Sequence, residues 1–407
     1  MSKKQKRIEP KHVPTKHQLS KWERERKIRR IIIAAAAVFL SGTIGYAGYG
    51  YYESNVKPLR EVVIDVNEAS FTMDYYIKQL DAYTKGADPS QLSYMSQIVA
   101  NQIVQDELIR QGAHSLGVAV TDKEIDDKIE ENGLPDEEVY REIVSAGLLR
   151  EKLQEYFASQ LPDTMEQTHT QIMLVESQKV AYDVIERIES GNDFAALMNE
   201  FSCNFEAEGD LGWLPRELIS DPLIGDVAFN LEPGEIQAIH EESADKNVGY
   251  WLIEVTEKDE EKGIRARAML LGSRQEADEV KAQLTSESFA ELADKYSQYV
   301  SEEDGGELGW IEQGDMNSLA FDAVAFSLDL NVISEPVKDI TVQTKGGYWI
   351  VQVIDKGDHE LSEDVRKDLT TKHANDWFEG LEDNSTTAIY LDNEKTDWAI
   401  DKVLAER

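Results

Sequence analysis

Residues 306–326 read GELGWIEQGDMNSLAFDAVAF, and residues 209–229, 97 positions earlier, read GDLGWLPRELISDPLIGDVAF. A glycine, an acid and Leu-Gly-Trp open both segments, and Val-Ala-Phe closes both at the same distance. Working outward, Phe194-Ala195-Ala196-Leu197 with Phe201-Ser202 answers Phe289-Ala290-Glu291-Leu292 with Tyr296-Ser297 at an offset of 95. Gly249-Tyr250-Trp251 answers Gly347-Tyr348-Trp349 at an offset of 98. The offset drifts only between blocks, so the insertions fall in loops. A period this long belongs to whole domains, because solenoid repeats run at roughly 20–50 residues. Two copies of one domain are expected, over residues 166–258 and 263–357.

Within a copy the order of elements fixes the class. In the first, residues 172–175 read as a strand, 178–189, 194–201 and 223–229 as helices, and 250–255 as a closing strand. That order predicts an α+β domain, a small mostly antiparallel sheet with helices around it. The stretch LEPGEI at 231–236 is a turn, since proline presets φ and glycine supplies a positive one. Upstream, residues 62–66 read as a strand, Asn67 as a turn and Thr72 as a helix start. Ile98, Val99, Ile103, Val104, Leu108 and Ile109 then recur at helical spacing. Thr121 with Glu124 forms a capping box before Ile125 and Ile129. Residues 53–165 are therefore expected to be a helical lobe. Beyond Leu361, an apolar stripe of Val365, Leu369, Trp377, Phe378 and Leu381 is too small to fold alone, and Ala388-Ile389-Tyr390-Leu391 reads as a strand seeking a sheet. Residues 361–407 are expected to return to the lobe.

The net charge of −37 conceals a division. Residues 1–30 carry 12 Lys/Arg against Glu9, Glu23 and Glu25, giving +9, whereas the remainder carries 30 against 76, giving −46. So acidic a body repels phosphate backbones and argues against nucleic acid as a partner. Between the two, Ile31 to Tyr52 (IIIAAAAVFLSGTIGYAGYGYY) is 22 residues without a charge. As a helix it extends about 33 Å, against a hydrocarbon core of about 30 Å. Lys27, Arg29 and Arg30 abut one end, and Tyr46, Tyr49, Tyr51 and Tyr52 crowd the other. A single membrane pass with a cytoplasmic arm and an extracytoplasmic body follows. The rival reading, a signal peptide cleaved near Gly45-Tyr46-Ala47, requires a shorter arm and a shorter apolar run. One cysteine, Cys203, rules out an internal disulfide, and the seven histidines form no HExxH spacing, so no metal or other cofactor is expected.

The repeated blocks, in this order, resemble the parvulin family of peptidyl-prolyl cis-trans isomerases across nearly all of both copies. Val63-Ile-Asp-Val-Asn67 with the helices that follow, and the return after Leu361, is similar to the chaperone lobe of SurA/PrsA-type extracytoplasmic foldases. The resemblance implies clients that are unfolded or newly exported polypeptides. It also implies a chemistry. Rotation about a prolyl amide crosses about 18–20 kcal/mol and breaks no bond. A catalyst must bury the ring and stabilise the twisted amide with placed hydrogen bonds, and a thousandfold effect corresponds to roughly 4 kcal/mol.

In the family, two histidines with a cysteine or aspartate supply the polar part, and a methionine with phenylalanines the apolar part. The matching positions here are Ile172, Asn204 and Trp251 in copy one, and Ala268, Tyr299 and Trp349 in copy two. Ile172 and Ala268 have no side-chain donor. Cys203 lies one residue from Asn204, and His169, three residues before Ile172, faces away from the site by strand alternation. The apolar set is better kept in copy two, where Met316, Phe321 and Phe326 have Thr344 and Tyr348 as polar neighbours; copy one offers Ile219, Ile224 and Phe229. Asp210 and Glu307 are expected to fix the glycine turns. Two readings remain: a foldase that catalyses prolyl isomerisation, with any activity in copy two, or a binding-only chaperone with degenerate parvulin domains.

Overall fold

The computed structural model describes Arg24, Arg29, Phe39, Thr43 and residues 45–407, apart from 205–208, 285–287 and 302–303. The basic arm and most of the run from Ile31 to Tyr52 therefore lie outside the described residues. Residues 45–50 are helical, and among the described residues no helix is long and apolar enough to cross a membrane.

The chain divides into two compact units, one ending at Tyr156 and resuming over His373–Arg407, the other Phe157–Lys372. It begins with β1 (Val62–Val66), β2 (Ala69–Thr72), α1 (Met73–Tyr83), α2 (Leu92–Ser115), α3 (Asp122–Asn132) and α4 (Glu138–Gln160). There follow β3 (Thr164–Val175), α5 (Gln178–Glu189), α6 (Phe194–Phe201), β4 (Asp210–Leu214), α7 (Pro222–Asn230) and β5 (Ile236–Lys246). Next come β6 (Gly249–Asp259), β7 (Gly263–Leu271), α8 (Arg274–Gln283), α9 (Phe289–Tyr296), β8 (Glu307–Ile311), α10 (Leu319–Ala325) and β9 (Val337–Asp339). The chain ends with β10 (Thr344–Glu360), α11 (Glu363–Asp383), β11 (Thr387–Ile389) and α12 (Asn393–Glu406).

In the first unit, local signals set the helix ends. The Thr72 hydroxyl accepts from the Tyr75 amide to start α1. Thr121 and Glu124 form their capping box at α3, which stops at Gly133 in the left-handed conformation. Lys152 bonds the Glu124 carboxylate and, with Thr121, holds it down at about 2. The core of Val63, Ile64, Tyr76, Leu80 and Ile103 is completed from the other end of the chain by Ala399 and Val403, both fully buried. β11 pairs antiparallel with β1, placing Ile389 opposite Ile64. α11 meets α2 at Gly112, where a Cβ would stand 2.5 Å from Leu381 Cδ1 and 2.6 Å from Trp377 Cζ2; only glycine permits that approach.

The second unit holds two four-stranded sheets, ordered β4-β3-β10-β5 and β8-β7-β6-β9. This differs from the boundaries that the repeat suggests. The strand carrying Tyr250-Trp251, expected to close copy one, pairs with β7 of copy two, and the strand carrying Tyr348-Trp349 pairs with β3 of copy one. Domain one is accordingly residues 164–246 with 344–360, and domain two is the continuous stretch 249–339 inserted between them. The reason is local. β6 and β7 are joined by three residues, with Asp259 Oδ1 accepting from the Glu261 and Lys262 amides at 2.9 and 3.0 Å. Gly263 follows at φ +83°, where a Cβ would stand 2.2 Å from the Ile311 carbonyl oxygen. A hairpin this short closes far less chain than a return to β3 would, and loop-closure entropy favours it. Because the two Gly-Tyr-Trp strands present like residues to either sheet, connectivity decides which sheet each one closes.

Candidate functional site

In domain two the alternation of β6 directs Trp251, Ile253 and Val255 to one face, where they meet Ala268 of β7 and Phe321 of α10. Tyr299, Met316 and Phe326 pack around the same cluster. Met316, Phe321 and Phe326 thus share one cluster, and Trp251 and Tyr299 belong to it as well. The Trp251 ring is 1% exposed and stands edge-on to Phe321 at 5.3 Å and 80°, and to Tyr299 at 5.3 Å. Its Nε1 donates to Asp339 Oδ2 at 3.0 Å. Asp339, on β9, also accepts from the hydroxyls of Ser318 and Thr341 and from the Thr341 amide. Burial pushes this carboxyl up, but the hydrogen bonds from Ser318, Thr341 and Trp251 outweigh it and leave it below its ordinary value.

Domain one repeats the arrangement. Trp349 of β10 packs with Ile172, Ile219 and Ile224, with Phe229 at the margin. Its Nε1 donates to Glu241 Oε2 at 2.8 Å. Glu241 lies 98 residues before Asp339, the offset that also separates the two tryptophans. Each domain therefore buries an indole tied to a carboxylate on the edge strand. Neither carboxylate was singled out from the sequence, although the shared offset was the signal available.

The strand pairing regroups the expected sets. Ile172 shares its cluster with Trp349, not Trp251, and Ala268 and Tyr299 share theirs with Trp251, not Trp349. Thr344 and Tyr348 belong to the sheet of domain one: the Thr344 hydroxyl donates to the Val248 carbonyl, and the Tyr348 ring lies 4.8 Å from His240. They are not neighbours of Met316. The Ser202 hydroxyl donates to the Asn204 carbonyl and accepts from the Asn204 amide. Cys203 packs with Val248 and Tyr250, and burial followed by the charge of Glu176 pushes its thiol up to about 11. His169 Nε2 lies 2.8 Å from Asp210 Oδ1. That same oxygen accepts from the Gly212 amide at 2.9 Å, so Asp210 fixes the glycine turn. No group of three or more His, Cys, Asp or Glu side chains placed to hold a metal ion occurs among the described residues.

With this geometry in place, likeness to known proteins can be read. The PPIC-type PPIASE domain of the rotamases matches residues 163–257 and again 252–355, and the SurA-like N-terminal domain matches residues 23–157. The chain belongs to the SurA/PrsA-like parvulin family. The chaperone SurA of Chromohalobacter salexigens is 25% identical over 347 residues, 78% of this chain and 73% of its own. The foldase protein PrsA of a Geobacillus species is 25% identical over 233 residues, 50% of this chain and 74% of its own. The crystal structure of PrsA from Bacillus cereus aligns over 85% of this chain and 99% of its own, at 14% identity and a TM-score of 0.28. At the positions that the sequence resemblance matches to the parvulin histidines, this SurA/PrsA-like chain has Ile172 and Ala268, and the indoles of Trp251 and Trp349, each bonded to a carboxylate. Neither Ile172 nor Ala268 can donate to a twisted amide, and each indole N–H is already engaged.

Proposed function

We propose that this SurA/PrsA-like chaperone holds unfolded, newly exported chains without accelerating prolyl isomerisation, its two parvulin domains serving as binding and spacing modules. The observation that carries this reading is the buried Trp251, hydrogen-bonded to Asp339 and packed edge-on against Phe321, in the cluster where the parvulin resemblance expects the proline pocket. Loss of one preorganised donor in other enzymes costs about 2.7–4 kcal/mol, most of a thousandfold effect, and here both histidines are replaced in both domains. The body is placed outside the cytoplasm, tethered by Ile31 to Tyr52, on the +9 arm beside an uncharged run of 22 residues. Protease added to spheroplasts should then digest the body and spare the arm; a protected body would refute the placement.

The decisive experiment pairs two assays on the full-length chain in detergent micelles. Proline-limited refolding of a reporter should proceed at its uncatalysed rate, while aggregation of a reduced, unfolded reporter should be suppressed. Acceleration by a hundredfold or more would restore the foldase reading. If that acceleration disappeared on Phe321→Ala, it would place the active site in domain two.

A further inference from the structure

The helical lobe contains a cavity of about 460 Å³ that the parvulin chemistry does not use. Its volume falls within the usual range for ligand sites. Phe71, Ile103, Ala146 and Leu149 supply an apolar floor, and Asp106, Glu107, Glu138 and Glu142 bring four carboxylates to the wall. Only two cations line it: Arg110, which is spent on Glu107 of the same wall, and Arg141, which is engaged outside the cavity. Arg110 grips Glu107 through Nε and Nη2 at 2.6 and 2.5 Å. Arg141 Nη1 reaches Asp126 at 2.6 Å and Asp136 at 3.0 Å. Asp106 is held by Arg150. Lys78, whose charge Glu142 also feels, is paired with Asp74 at 2.7 Å.

Glu142 is left with neutral company. It accepts from Gln79 Nε2 at 3.0 Å and from the Tyr75 hydroxyl, and no cation of the lining reaches it. Burial, followed by the charges of Glu138 and Glu107, raises its carboxyl above the ordinary value. A half-buried carboxylate beside an apolar floor and among other carboxylates is complementary to one kind of side chain: a long aliphatic stem ending in a positive charge.

We propose that this cavity seats a lysine or arginine side chain of an unfolded client, its stem on the apolar floor and its charge on Glu142. The inference rests on the client-holding reading and adds the class of segment held, basic and apolar together. Acidic segments are turned away by the same carboxylates.

The test uses the full-length chain in detergent micelles and two fluorescent, unstructured peptides. One carries a single lysine among apolar residues, and its twin carries glutamine in place of the lysine. Anisotropy titration should show the lysine peptide binding about tenfold more tightly, the size of one charge-assisted hydrogen bond. Glu142→Gln should remove that preference. A photo-crosslinker next to the lysine should label α2 or α4 in the unmutated chain, a readout independent of any variant. Equal affinity for the two peptides, a preference that survives Glu142→Gln, or crosslinks outside the lobe would overturn the inference alone. Failure of both peptides to bind would overturn the client-holding reading, and this inference with it.

Discussion

Replacing Trp251 by alanine tests which sheet β6 closes. The side chain is almost wholly buried, touches Tyr299 and Phe321 at 5.3 Å each, and donates one hydrogen bond. Truncating a buried tryptophan costs about 3–5 kcal/mol. Asp339 keeps Ser318 and Thr341 as donors, so the lost indole bond adds only about 0.5–1.5 kcal/mol, not the penalty of an orphaned charge. Hydrogen exchange with mass spectrometry reads this by segment. Together these come to about 3.5–6.5 kcal/mol, so amides of β7 and β8 should exchange roughly three hundredfold to several ten-thousandfold faster, since about 1.4 kcal/mol is a factor of ten. Amides of β3 and β4 should be unchanged, because their sheet is closed by β10. Trp349→Ala should give the mirror result. Loss of protection in residues 164–175 after Trp251→Ala would show that β6 closes domain one, and the nested arrangement described above would be wrong.

Removing residues 385–407 takes away the partner of β1 and the fully buried Ala399 and Val403, the valine alone being worth roughly 1.5–3 kcal/mol. The lobe should lose its helical circular dichroism at lower urea while residues 164–360 melt as before, and an unchanged lobe would contradict the shared core. Asp339, held below 3.8, contributes stability that is present above that pH and lost as pH falls through its folded value, so Asp339→Asn should flatten the acid limb of the unfolding curve of domain two. An acid limb that stayed as steep would remove Asp339 from the balance. Cys203, buried and with its thiol raised to about 11, should resist iodoacetamide at neutral pH until the chain is unfolded; rapid labelling of the native protein would refute its place in the core.

Much of this molecule was readable from its residues, and what was not has identifiable physical causes. Helix ends followed from side chains that act within one turn, as at Thr121, Glu124 and Gly133. The apolar company of Met316, Phe321 and Phe326 followed from the parvulin resemblance, to whose methionine and phenylalanines these residues were matched. Thr344 and Tyr348 were placed in the wrong sheet because pairing between strands is non-local, and two strands with the same Gly-Tyr-Trp opening give no preference from composition. The deciding signal lay in the connection instead. Asp259 to Gly263 is a hairpin turn, an acid to bind the turn amides and a glycine for the positive φ, and it commits β6 to its successor. Glu241 and Asp339 escaped notice because a carboxylate on an edge strand looks solvated until its indole partner is known.

The nesting of the chain has a consequence for its biogenesis. Its modules work like brackets: β1 opens the lobe, β3 opens domain one and β6 opens domain two, and they are closed in reverse by β9, β10 and β11. A polypeptide that emerges N-terminus first must therefore expose Val63 and Ile64 until some 320 later residues have followed, since Ile389 is the neighbour Ile64 awaits. During that interval the chaperone is itself an unfinished client, with a sticky sheet edge and an open core. A product cut short between β10 and β11 would carry sound inner domains and a lobe that never shuts, so completion of the lobe is reported by β11 and the helix after it.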